Sequence, residues 1–127
     1  MAGNLSNYLE NKLLDHFLGT AAYTMPTTVY VALYTVVPTD AGGGTQVTGG
    51  SYARQTAVFS AAASGTTSNT ANIDFAGMPA ATTVAIGVFD AITAGNLLLW
   101  GTLTANKTTD AGDTLRIATG DLDISID

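Results

Sequence analysis

The chain has 127 residues, enough for one domain with a single core, and ten acidic against four basic residues leave a formal net charge of −6. With the basic residues Lys12, Arg54, Lys107 and Arg116 scattered along the chain, that balance repels phosphate backbones and argues against nucleic-acid binding. The absence of Cys excludes a disulfide framework, a thiolate nucleophile and a cysteine-rich zinc site.

Only 11% of the residues are charged while 46% are hydrophobic, against the roughly 25–35% charge of a typical soluble surface. Either Thr, Ser, Gly and Asn keep the surface wet, or part of it is covered in an assembly. No apolar run approaches the ~20 residues of a membrane span. The N-terminus MAGNLSNYLENKLL lacks the basic start and apolar stretch of a signal peptide, so a soluble protein made in a cytoplasm is expected.

In chain order, NLSNYLENKLLDHFLG reads as an amphipathic helix of about three turns, with Leu5, Leu9, Leu13 and Phe17 recurring every fourth residue beside Tyr8. Asn7 and Glu10 resemble a capping box, and Gly19 suits the stop. The apolar stripe packs on the parent domain or docks on a neighbouring subunit. TTVYVALYTV (27–36) is apolar on both faces and reads as a central strand covered on both sides. PTDAGGGTQVTGG (38–50) is a long Gly-rich loop, flexible or ordered by a partner. It lacks the Lys-Ser/Thr of a phosphate-binding loop.

SYARQTAVF (51–59) resumes the strand pattern, AAASGTTSNT (61–70) is a low-complexity turn region, and ANIDF (71–75) alternates apolar with polar residues. TTVAIGVFD (82–90) and NLLLWGTLT (96–104) form a hairpin through AITAG, with Trp100 in the core. NKTTDAGD (106–113) is a polar turn, and TLRIATG with DLDISI makes one long strand kinked at Gly120. The fold class is mainly β, an antiparallel β-sandwich or jelly-roll-like barrel with one N-terminal amphipathic α-helix. A single domain spans 1–127, with the helix in 1–19 and the sandwich in 27–127.

Three carboxylates near the terminus, Asp121, Asp123 and Asp127, raise the question of a metal site. Leu122, Ile124 and Ile126 alternate with Asp123, Ser125 and Asp127, which is the pattern of a strand with one wet and one buried face. Residues two apart on a strand lie about 6.5–7 Å apart, too far to cage a calcium ion whose oxygens sit about 2.3–2.6 Å away. The strand is the favoured reading, with a calcium ion near Asp121 and Asp123 completed by other loops as the alternative. His16, the single histidine, lies late in the helix where the dipole favours it and has no ligand partner at metal spacing. No serine lies in a G-x-S-x-G elbow. We expect no enzymatic activity, catalytic residue, cofactor or resident metal.

Taken together, NYLENKLLDHFLG, TTVYVALYTVVPTDAGGGT, GGSYARQ, IGVFDAITAGNLLLWGTL and GDLDISID resemble a family of short tailed-phage virion proteins, whose members are often called phage tail fibre proteins. The resemblance covers nearly the whole chain and implies a virion part without an active site. The sequence departs from it in the middle, where ASGTTSNTANIDFAGMPAATTVAIGVFD is shorter and more Ala-rich. A fibre shaft is built from long repetitive chains, whereas a compact sandwich suits a head decoration or cement protein that bridges neighbouring capsid subunits. That is the leading expectation, and a tail-associated adaptor or tail-fibre module for host attachment is the alternative. The expected partners are the major capsid protein or other virion proteins, or a second copy of the chain, with no nucleic acid and no membrane. The expected location is the virion, after synthesis in the host bacterial cytoplasm. Candidate contact residues are Leu5, Tyr8 and Leu9 of the helix segment and Asp40, Gly42, Gly43, Gly44 and Gln46 of the Gly-rich loop.

Overall fold

The computed structural model describes residues 4–126. Residues 1–3, part of the 1–19 span assigned to the helix, and Asp127, the last carboxylate of the terminal row, lie outside the described residues. In chain order the elements are β1 (Asn4–Leu5), α1 (Asn7–Phe17), β2 (Val29–Val36), β3 (Thr45–Gln46), β4 (Gln55–Ala57), β5 (Thr66–Ser68), β6 (Ile73–Phe75), β7 (Ala81–Phe89), β8 (Leu97–Thr109), β9 (Leu115–Ile117) and β10 (Asp123–Ser125).

Six strands make the main antiparallel sheet in the order β1-β8-β7-β2-β3, with β4 pairing to the same edge of β2 as β3 but lower down. Two short ribbons, β5 with β10 and β6 with β9, complete the β structure. The strands do not close into a barrel, so of the two expected architectures the sandwich is the one formed.

The hydrophobic pattern explains the layering. In β2, Val31 and Leu33 point to one face and Ala32 and Tyr34 to the other, all fully or nearly fully buried. Register carries the alternation into β7: Val31 opposes Val88 and Leu33 opposes Ile86 on the inner face, while Ala32 opposes Gly87 and Tyr34 opposes Ala85 on the outer. The inner face meets Ile73, Phe75, Leu115, Leu122 and Ile124 from the two ribbons, with Met78 and Val47 filling between them. The outer face carries a second cluster of Ala32, Tyr34, Ala85, Phe89 and Leu97. Gly87 makes that cluster possible, because a Cβ there would stand 2.9 Å from both Leu97 Cδ1 and Tyr34 Cε2.

Several expectations need correction. The helix starts at Asn7, inside the 1–19 span assigned to it, and Asn4–Leu5 instead add a strand to β8 through Asn4–Trp100 and Leu5–Leu99 pairs. The capping box is absent: Ser6 is the N-cap, its Oγ accepting the Leu9 N–H at 3.2 Å and donating to the Leu97 carbonyl. The terminal segment is two strands belonging to different ribbons, since the chain turns at Gly120 and Asn69 holds the turn. Asn69 donates from Nδ2 to the Ala71 and Ala118 carbonyls and accepts the Leu122 N–H at Oδ1. The low-complexity stretch contains β5, and the supposed turn at 106–109 is the end of β8. Ile126, expected in the core, is 56% exposed because β10 ends at Ser125.

Candidate functional site

The outer face of the main sheet is only partly covered, and the candidate contact residues gather there. A cleft of about 410 Å³ opens between the start of α1, the 40–43 turn, β3 and the turn that joins β7 to β8. Tyr8, Asp40, Gly42, Gly43 and Gln46 line it together with Tyr34, Phe89, Asn96 and Leu97. Leu5, Leu9 and Gly44 do not. Leu5 is tied into the β1–β8 pairing, and Leu9 is half-buried under the helix. A Cβ on Gly44 would come within 2.6 Å of the Val36 carbonyl oxygen.

The Gly-rich segment is ordered by the chain itself. Thr39 and Gly42 exchange backbone hydrogen bonds of 2.8 Å in each direction, and Val47 inserts into the inner core. The Asp40 carbonyl accepts the Asn7 N–H at 2.8 Å, and its Oδ1 accepts the Trp100 indole N–H at 2.9 Å. Trp100 is therefore not a core residue as expected: it sits half-buried on the outer face and uses its polar end as a tether.

Arg54 organises the opposite wall. Its guanidinium lies 3.6 Å from the centroid of the Phe89 ring, donates to the Ala91 and Ala94 carbonyls at 2.9 and 2.8 Å, and donates through Nε to Gln46 Oε1 at 3.3 Å. Asp90 closes the hairpin turn by accepting the Asn96 backbone and side-chain N–H groups at 2.7 and 2.9 Å. Partial burial raises the Asp90 pKa, but these bonds and the nearby Arg54 outweigh it and hold the carboxyl below its ordinary value. Burial pushes the Tyr34 phenol up, against the opposing pull of Arg54 and Gln46. Sequence reasoning missed Arg54, Asn96, Tyr34 and Phe89. The only signal was a lone Arg in the otherwise uncharged run SYARQTAVF.

The second exposed feature is the far half of α1, which contains no buried residue. Leu14, Phe17 and Leu18 are 56%, 72% and 77% exposed, and Met25 in the following segment is 78% exposed. The every-fourth-residue stripe fails at Phe17 for a geometric reason. Four residues turn about 400°, so the stripe advances about 40° per step and leaves the packing face within two steps. His16 is occupied locally, its Nδ1 accepting the Tyr23 N–H at 3.1 Å.

Among the described residues no three His, Asp or Glu side chains converge on a common point. Asp121 and Asp123 are exposed, while Leu122 and Ile124 on the other side of the strand are buried. A wider hollow of about 570 Å³ beside β5 and β10 is lined by small residues such as Ser60, Thr66, Thr67 and Ser125 and carries no aromatic ring.

The described residues form a mainly antiparallel β domain with one surface helix and an exposed apolar ridge, the fold class expected from the sequence. The model of the family described as Podophage GP4 fiber I protein gp80 matches residues 4–125, and the chain belongs to that family. No curated protein matches the chain. It is thus a phage virion structural protein, residing in the virion and interacting with other virion proteins. Among the described residues no helix is long and apolar enough to cross a membrane.

Proposed function

We propose that the protein is a non-enzymatic, fibre-associated module that attaches to a neighbouring virion protein through the exposed ridge of α1. The observation that carries this reading is the exposure of Leu14 and Phe17 on a helix none of whose residues is buried, and of Leu18 at its C-cap. Burying three such side chains against a partner contributes about 1.5–3 kcal/mol each, enough for an anchor at the centre of an interface whose rim is polar. The description of the matched family as a fibre protein supports a fibre location. The sandwich has no shaft-like repeat, which supports a docked module in place of a shaft segment.

The head decoration reading keeps one supporting observation, the low surface charge of a Cys-free sandwich. Separating purified tails from capsids and probing each fraction with an antibody to the protein tests the two readings. Signal in the tail fraction is expected, and signal confined to capsids would overturn the fibre assignment. Virions assembled with a Phe17→Ser, Leu18→Ser double variant are expected to lack the protein. Incorporation at wild-type level would remove α1 from the interface. Purified protein is expected to leave polysaccharide and peptide substrates intact. Turnover that disappears on replacing one of its Asp residues would overturn the structural role.

A further inference from the structure

The link between α1 and β2 is held by one contact whose chemistry depends on a proton. We propose that His16 and Tyr23 form a proton-operated latch: neutral His16 pins the 20–28 segment beside the apolar ridge, and protonation releases it while the sandwich stays folded. The latch stands whatever α1 attaches to in the virion.

The helix itself ends in an orderly stop, where the Asp15 carbonyl accepts the Thr20 and Ala21 N–H groups at 2.8 and 3.2 Å. Past that stop little holds the chain. Among the described residues, residues 22–28 make a single hydrogen bond, from the Tyr23 N–H to His16 Nδ1 at 3.1 Å. Between Thr20 and Thr28 only Tyr23 and Pro26 are half-buried, and Met25 is 78% exposed. A segment with so few contacts opens at far lower cost than the sheet unfolds.

An imidazole nitrogen accepts a hydrogen bond only while it carries no proton. The bond to Tyr23 therefore selects the neutral ring with its proton on Nε2; in the imidazolium both nitrogens are donors, and the Nδ1–H would face the Tyr23 N–H. The helix end pulls the other way, because His16 lies in the last turn, where the terminal carbonyls favour a cation. Histidine is the side chain whose ordinary charge change falls between about pH 5 and 8, and the chain has one histidine and no cysteine. The charged groups around the ring are few. On α1, Lys12 stands one turn earlier and Asp15 adjoins, while residues 17–28 contribute no charged side chain. Beyond the Tyr23 ring stand Tyr8 of α1 and Asp90 of the β7–β8 turn. Burial, Tyr8 and Asp90 push the Tyr23 phenol above its ordinary value, and Asp90 is held below its own, so neither changes charge in that range. Protonation also sets a cation beside Phe17, whose ring centroid lies 6.1 Å from that of His16. The ridge thus changes its charge together with the anchorage of the segment beside it.

NMR on the isotope-labelled full chain, titrated from about pH 8 to about pH 5, tests the latch. The Tyr23 amide resonance should move with the same midpoint as the His16 ring protons. Its hydrogen-exchange protection, corrected for the intrinsic effect of pH, should fall about threefold to tenfold, the net worth of one hydrogen bond, while the amides of Leu33 and Ile86 keep theirs. His16→Asn places an amide oxygen where Nδ1 stood and should keep Tyr23 protected across the whole range. His16→Lys carries a charge and no acceptor, so its Tyr23 amide should be released already at neutral pH. The side chain is exposed, and an unchanged thermal melt shows that each variant is folded. The proposal is overturned if the Tyr23 amide ignores the His16 titration, if His16→Asn keeps the wild-type transition, or if His16→Lys leaves Tyr23 as protected as in wild type. It is equally overturned if Leu33 and Ile86 lose protection together with Tyr23, which would report unfolding of the sheet.

Discussion

The two faces of the main sheet are built from the same strands and meet different fates. The inner face is sealed by two ribbons whose Ile73, Phe75, Leu115, Leu122 and Ile124 interlock with Val31, Leu33, Ile86 and Val88. The outer face carries a smaller cluster, roofed only in part by the first turn of α1 and the 40–43 turn, with polar tethers holding its rim. Apolar burial is non-directional and fills the inner face with stability. Hydrogen bonds are directional, and on the outer face they fix the positions of groups that remain reachable. Apolar packing dominates one side of the sheet and directional tethers the other.

The sharpest test of that division is Phe75→Ala, which empties the inner core and should cost about 3–5 kcal/mol in denaturant unfolding. A loss below about 1 kcal/mol would mean that the ribbons do not seal the sheet. Asn69→Ala leaves the Leu122 N–H and the Ala118 carbonyl without their partner and should cost about 1–3 kcal/mol. On the outer face, Gly87→Ala forces a methyl between Leu97 and Tyr34 and should cost a similar 1–3 kcal/mol, about the usual penalty of overpacking. It should also perturb Trp100 emission, which Asn69→Ala should not.

Acidification acts on both sides of the sheet, because Asp74 on β6, bound by Arg116 of β9, and Asp90 both have lowered pKa values. Asp90 has a folded pKa below its unfolded value, so its contribution is present above the unfolded value of about 3.9 and fades as pH falls through the folded one. Calorimetry from neutral pH down to about pH 3 should show a drop in melting temperature that is smaller in Asp90→Asn than in wild type. The smallest effect belongs to fully solvated positions. Phe17→Ser and Asp123→Asn should each change stability by no more than about 0.5 kcal/mol. A large, chelator-sensitive loss in Asp123→Asn would restore the metal reading of the terminal carboxylates.

The inner face was legible in the sequence because period-two alternation is a strong signal wherever one side of a strand is dry. It was sufficient for ANIDF, DLDIS and the 82–104 hairpin, and the double-sided apolar run VYVALYTV announced a strand covered on both faces. Alternation carries no information on which strands pair, so the terminal segment read as one kinked strand although its halves join β6 and β5. The β5 strand was hidden because Thr and Ser serve turns and exposed strands alike. Five of the eight nominated contact residues meet in one cleft, yet the groups that brace it come from positions 54, 90 and 100, and sequence spacing does not record such contacts.

The outer edge of β2 is finished in pieces. The three residues of β4 cover its start and the two residues of β3 its end. Between them the Leu33 carbonyl takes the Val47 N–H, and the Leu33 N–H donates to the Tyr52 hydroxyl, whose ring stacks on Phe75. A phenol thus replaces a missing strand at the one step where a foreign backbone could enter. At the other edge, β8 bulges between Thr102 and Lys107, where two steps of β7 face five of β8. Short capped strands and bulges are poor templates for strand exchange. Copies of this chain crowded together should therefore resist zipping into fibrillar aggregates, and concentrated stocks should stay clear on storage.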